Sequence, residues 1–113
     1  MTYVEVLVQE GTNGEKKIVG ISSVGHADYA ESGKDVICAA ISMAMHILEN
    51  GVRRNLGIPC TIKTDHARAE WDIEWGIKHA DKASPFAEVV ASSLLSIAEE
   101  YPDNVRFSEE VLM

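Results

Sequence analysis

Gly25-His26-Ala27-Asp28-Tyr29-Ala30-Glu31-Ser32-Gly33-Lys34-Asp35-Val36-Ile37-Cys38-Ala39-Ala40-Ile41-Ser42 is the stretch that decides how the rest of the chain is read. Ahead of it runs an apolar segment with the character of a strand, and behind it opens the longest segment of helical period. His26 therefore closes a strand, and Cys38 falls in the opening turn of a helix. A thiol in that position faces unsatisfied backbone N–H groups and the positive end of the helix dipole, both of which favour thiolate over thiol. A histidine held beside it would complete a nucleophile and its base. By itself, a half-buried cysteine that packs as a small apolar residue is the commoner outcome. Gly25, the polar loop, and Asp35 and Ser42 on the helical face of Cys38 favour chemistry.

Working outward, Ala27 to Lys34 has no periodicity and reads as a mobile loop, with Ser32 and Asp35 resembling a capping box that has Asp in place of Glu. The helix runs from Gly33 or Asp35 to Asn55. Ile37, Ile41, Ala44, Leu48 and Val52 recur at helical spacing and should face a sheet, while Asp35, Cys38, Ser42 and Glu49 form a neighbouring stripe. Gly57 suits a helix stop.

Upstream, Thr2 to Gln9 alternates with Val4, Val6 and Val8 on one face, which is the period of a half-buried strand. An Asn13-Gly14 turn signal and a second strand, Lys16 to Val24, make an antiparallel hairpin. Downstream, Cys60 to Thr64 and Arg68 to Trp75 read as strands joined by a turn at Asp65-His66-Ala67. In the latter, Ala69, Trp71, Ile73 and Trp75 should be buried, and Glu70, Asp72 and Glu74 should form an exposed acidic row. Ser84-Pro85 reads as the start of a second amphipathic helix that ends before Pro102. A last strand, Asn104 to Ser108, completes the order ββαββαβ. The expected fold is α+β: a two-layer α/β sandwich, a mostly antiparallel sheet with two helices packed on one face.

At 113 residues the chain is expected to form one domain, 1–113, and its 46% hydrophobic content is ample for a core. No run approaches the roughly 20 apolar residues that cross a bilayer, and the N-terminus lacks the pattern of a secretory signal, so a cytoplasmic protein with no membrane partner is expected. Cys38 and Cys60 are then expected as free thiols. A net charge of −8 argues against direct binding of nucleic acid and permits a basic partner, which carboxylates such as Asp28, Glu31, Glu49 and the row Glu70, Asp72, Glu74 could meet. His26, Cys38, His46, Cys60, His66 and His79 lack the closely spaced pairs of structural zinc sites, so no metal and no cofactor are expected. His46, His66 and His79 read as surface residues, Cys60 as packing, and Trp71 as core.

The pattern Gly25-His26-Ala27, a loop, then Gly33-Lys34-Asp35-Val36-Ile37-Cys38-Ala39-Ala40-Ile41-Ser42 resembles the ribosomal-processing cysteine protease (Prp) family, with twelve positions from histidine to cysteine. The similarity extends over nearly the whole chain in length and element order. The resemblance implies a bacterial endopeptidase that removes the N-terminal extension of large-subunit ribosomal protein twenty-seven during ribosome maturation. Carried over, Cys38 is the nucleophile and His26 the general base. Asp35 and Ser42 match motif positions of undefined role, and Gly25 lets backbone approach substrate. The resemblance also implies a homodimer and a gating loop, Ala27 to Lys34, in which Ala27, Asp28, Tyr29, Gly33 and Lys34 reorganise when peptide binds. Backbone N–H groups at the helix start are the expected oxyanion donors, and Asp35 is the local candidate to orient His26. The alternative is a non-catalytic ribosome-associated module that holds a basic protein tail in the same groove.

Overall fold

The computed structural model describes residues 1–31 and 33–113. Strand β1 (Thr2–Glu10) turns back into β2 (Lys16–Val24), and their register pairs Tyr3 with Val24 and Glu10 with Lys16. The turn closes through Gly11 N–H to the Glu15 carbonyl at 2.8 Å, with Gly14 at φ 80°. Helix α1 (Val36–Glu49) follows and widens at its end into a π-type turn, Asn50–Asn55. The antiparallel pair β3 (Thr61–Asp65) and β4 (Glu70–Glu74) comes next, then a short 3-10 turn, helix α2 (Ala80–Glu100), and β5 (Val105–Leu112). The order ββαββαβ is the expected one.

The five strands lie in the order β3-β4-β2-β1-β5. Only β5 runs parallel to its neighbour, β1, which it follows from Thr2↔Val105 to Gln9↔Leu112. The sheet is thus mixed and mostly antiparallel. Val4, Val6, Val8, Ile21 and Ile73 from the sheet pack with Ile37, Ile41, Met45 and Leu48 of α1 and Ala83, Ala87, Val90 and Leu94 of α2 in one apolar core. Burial of this kind supplies most of the folding free energy, at about 25 cal/mol per Å².

Four expectations need correction. Helix α2 begins at Ala80, not Ser84, and Pro85 lies within it. Ala80 is fully buried against Leu7 and Val19, and Ala83 is fully buried in the main core. That extra turn of burial outweighs the backbone bond that proline cannot donate. The long first helix changes pitch after Glu49, where a Cβ on Gly51 would stand 2.2 Å from the Phe86 ring; glycine alone lets α2 pack this closely. The cap of α1 is Asp35, whose side chain accepts from Ile37 and Cys38 N–H, while the expected cap Ser32 lies outside the described residues. Finally, Glu70 does not join an exposed row. Its side chain is 8% exposed, with Arg68 Nη1 at 3.2 Å and Lys63 Nζ at 3.8 Å. A hydrogen bond with Asp72, then burial, holds its carboxyl above the usual range.

Candidate active site

The end of β2 and the start of α1 meet at one wall of a cavity of about 490 Å³. His26, Cys38, Gly25 and Ser42 line it, together with Ile41, Met45, His46 and Trp71. The pairing expected from sequence is therefore brought to one cavity. Cys38 is the third residue of α1, and its Sγ accepts the Ala27 N–H at 3.3 Å. Among the described residues no hydrogen bond joins the His26 imidazole, which is exposed, to the thiol. Both Cys38 and Cys60 are free thiols.

The His26 segment is stitched down from several sides. Gly25 N–H bonds the Arg68 carbonyl at 3.1 Å, and the Gly25 carbonyl accepts the Thr2 hydroxyl at 3.1 Å. Asn104 Nδ2 donates to the Ala27 carbonyl at 3.0 Å, and the Met1 nitrogen donates to the His26 carbonyl at 2.6 Å and to Asp28 Oδ2 at 2.8 Å. Gly25 sits at φ 96°, and a Cβ there would lie 2.4 Å from the Met1 carbonyl oxygen. The close backbone approach that requires this glycine is therefore to the start of β1, where the sequence suggested substrate.

Asp35 is the hub of the loop. One carboxylate oxygen accepts Ile37 and Cys38 N–H, both at 3.0 Å; the other accepts Tyr29 N–H at 2.9 Å and Ala30 N–H at 3.3 Å. Burial works to raise this carboxyl, but the hydrogen bonds from Cys38, Tyr29 and Ala30 outweigh it and hold the carboxyl below its ordinary value. Asp35, the expected orienter of His26, binds backbone N–H groups here, and those of Ile37 and Cys38, the expected oxyanion donors, are bonded to it.

The same carboxylate changes the state of the thiol. Burial pushes the Cys38 thiol up; the Ala27 N–H counters this, and the charges of Asp35 and Asp28 add to the rise. The pull of the helix N-terminus toward thiolate is thus opposed by burial first and then by the carboxylate that caps that terminus. Both effects favour the neutral thiol over the thiolate.

Elsewhere in the loop, Ala27 is buried, Tyr29 packs edge-on against Tyr101 at 5.8 Å between ring centroids, and Lys34 N–H bonds the Glu31 carbonyl at 2.9 Å. Lys34 and Gly33, the latter at φ 87°, are exposed.

Sequence reading missed the far wall of the cavity. His46 and His66, read as plain surface residues, both line it, and Trp71, read as core, is only half-buried there. The His46 and Trp71 rings meet edge to face, with centroids 4.6 Å apart. Helical spacing carried part of the signal, because Cys38, Ser42, Met45 and His46 share one side of α1 at separations of three and four.

The cavity thus brings together a thiol, an imidazole and an apolar floor, groups that acyl transfer to sulfur uses. The family described as cysteine protease Prp matches residues 1–106. A ribosomal processing cysteine protease Prp from Staphylococcus aureus is 27% identical over 103 residues, covering 91% of this chain and 97% of that protein. A solved structure of the S. aureus Prp with a covalently linked product peptide superposes with a TM-score of 0.79 at 25% identity, covering 95% of this chain and 99% of the other. The crystal structure of SMU.848 from Streptococcus mutans shares the fold, with a TM-score of 0.81 at 20% identity over 99% of this chain and 96% of that one. With the match running through both the His26 segment and the Cys38 helix, this chain belongs to the cysteine protease Prp family and is a cysteine protease.

Proposed function

We propose that this protease removes the N-terminal extension of large-subunit ribosomal protein twenty-seven, with Cys38 as nucleophile and His26 as its proton partner. The observation that carries the reading is the convergence of Cys38 and His26 on one peptide-sized cavity, supported by the ribosomal processing named for the S. aureus relative. His26 takes the proton of the Cys38 thiol as the sulfur attacks the scissile carbonyl carbon. The carbonyl π electrons move to oxygen and return as the C–N bond breaks, and the His26 imidazolium protonates the leaving amine. Water then attacks the thioester while giving a proton to His26. The C–S bond then breaks, the His26 imidazolium returns its proton to the departing sulfur, and the acid leaves.

Burial and the Asp35 charge disfavour the thiolate, so on this reading substrate entry is the step that activates the sulfur. Loop residues 27 to 34, including Asp28, Tyr29, Gly33 and Lys34, carry that change: the Asp35 bonds to Tyr29 and Ala30 are the contacts that a closing loop would exchange. Gly25 keeps the histidine segment against β1, and Ser42 faces the entering chain. The whole activity is assigned to a single domain, working in the cytoplasm. Val36, Met43 and Ile47 form an exposed apolar stripe along α1, which is the face we assign to a homodimer. Incubating the protein with an extended peptide and mass-analysing the products tests the reading. Cleavage at one bond by the parent and none by Cys38→Ala is the expected result, and cleavage by both would refute it.

A further inference from the structure

The far wall of the cavity is built in an unusual way. Trp71 lies on β4 between Ser23 of β2 and Thr64 of β3, and its ring is only half-buried, so strand packing alone does not fix it. Two groups from α1 do. His46 meets the ring edge to face, and Glu49, one residue short of a turn further on, accepts the indole N–H through Oε1 at 3.2 Å. Its other oxygen, Oε2, lies 3.5 Å from Arg53 Nη1. Glu49 itself is absent from the cavity lining, whereas Trp71 and His46 are part of it, with Ile41 and Met45 as floor.

We infer that Glu49 is a positioning residue for substrate selection: by holding the Trp71 indole it sets the shape of the pocket beside Cys38 and so decides which substrate side chain is accepted there. This rests on the reading of the cavity as the peptide site. A half-exposed indole without its acceptor can turn about its side-chain torsions, and a pocket wall that turns loses shape selectivity before it loses chemistry. The ion pair with Arg53 is more than half-exposed on the arginine side and contributes little, so the indole bond is the part that matters.

The test uses the full chain, a peptide spanning the extension and the first residues of mature ribosomal protein twenty-seven, and a set of that peptide with each bulky residue of the extension changed in turn to alanine. Glu49→Ala should raise KM for the parent peptide roughly fivefold to tenfold with kcat nearly unchanged, and shrink the difference between parent and one alanine peptide. Glu49→Gln, which keeps an oxygen for the indole, and Arg53→Ala, which removes only the ion pair, should behave like the parent. The indole N–H resonance of Trp71 should move in Glu49→Ala, while that of Trp75, bonded to the Ile18 carbonyl at 3.0 Å, stays fixed. Unchanged selectivity in a folded Glu49→Ala protein, or equal losses in Glu49→Ala and Glu49→Gln, would overturn the positioning role. If instead peptide added to Cys38→Ala protein leaves the Trp71 and His46 resonances unmoved, the location of the peptide site is what fails.

Discussion

The Asp35 carboxylate accepts the Cys38 backbone N–H at 3.0 Å, so the residue that starts the helix also places a negative charge beside the thiol it carries. One side chain therefore does two opposed things. It fixes the helix start and the loop through four N–H groups, and its charge adds to burial in raising the thiol.

Replacement of Asp35 by alanine should separate these effects. Loss of the cap should destabilise the protein by about 1–2 kcal/mol, and exchange of the Tyr29 and Ala30 amides should quicken. Thermal unfolding and hydrogen exchange read both, and a variant with parent stability and parent exchange would show that the four bonds contribute nothing.

Acid should act on the same group. The folded-state value of Asp35 is lowered relative to the unfolded chain. Its contribution to stability is therefore complete above the unfolded value of about 3.9 and is lost as pH falls through the folded value. Parent protein should lose more stability than Asp35→Asn across that acid window. Parallel curves for the two would contradict the assignment.

For Cys38 the sign is reversed, since its value is raised. Without peptide, alkylation by a mild reagent should follow a midpoint above that of an ordinary thiol, about 8.5, and be slow at neutral pH. An uncleavable peptide should bring the midpoint down, read on a residue near but not blocking the sulfur. A peptide-free midpoint well below 8 would mean that the thiol is activated before substrate arrives.

Gly25 supplies a mechanical test. With φ at 96° and a Cβ 2.4 Å from the Met1 carbonyl oxygen, Gly25→Ala should cost on the order of 2 kcal/mol or more and displace the His26 segment. Turnover should fall with it. Crystallography or amide shifts around His26 would detect the displacement, and a variant of parent stability would show that β1 yields easily.

Much of this was legible in the residues because it is local. Alternation marks β1, Asn13-Gly14 marks the turn into β2, and the spacing of Ile37, Ile41 and Leu48 marks the buried face of α1. What stayed hidden depends on partners distant in sequence. Asn104 reaches the Ala27 carbonyl across 77 positions, and Trp71 reaches Glu49 across 22. The start of α2 was misplaced for a related reason: Ser84-Pro85 is a strong local signal, and only the burial of Ala80 and Ala83 against other elements overrides it. Asp35 is legible by position and, through the capping-box pattern, as a group near the helix start, but its bonds to Tyr29 and Ala30 are not.

On the proposed chemistry, Cys38 performs the cleavage and His26 moves its proton. Single-turnover cleavage of the extended peptide, followed by intact-mass analysis, tests it most directly. The parent should pass through a species heavier by the acyl fragment and attached at Cys38. His26→Ala should accumulate neither this adduct nor product, and Cys38→Ala should give none at any pH while still binding peptide. Product from Cys38→Ala, or an adduct mapped to Cys60, would contradict the account.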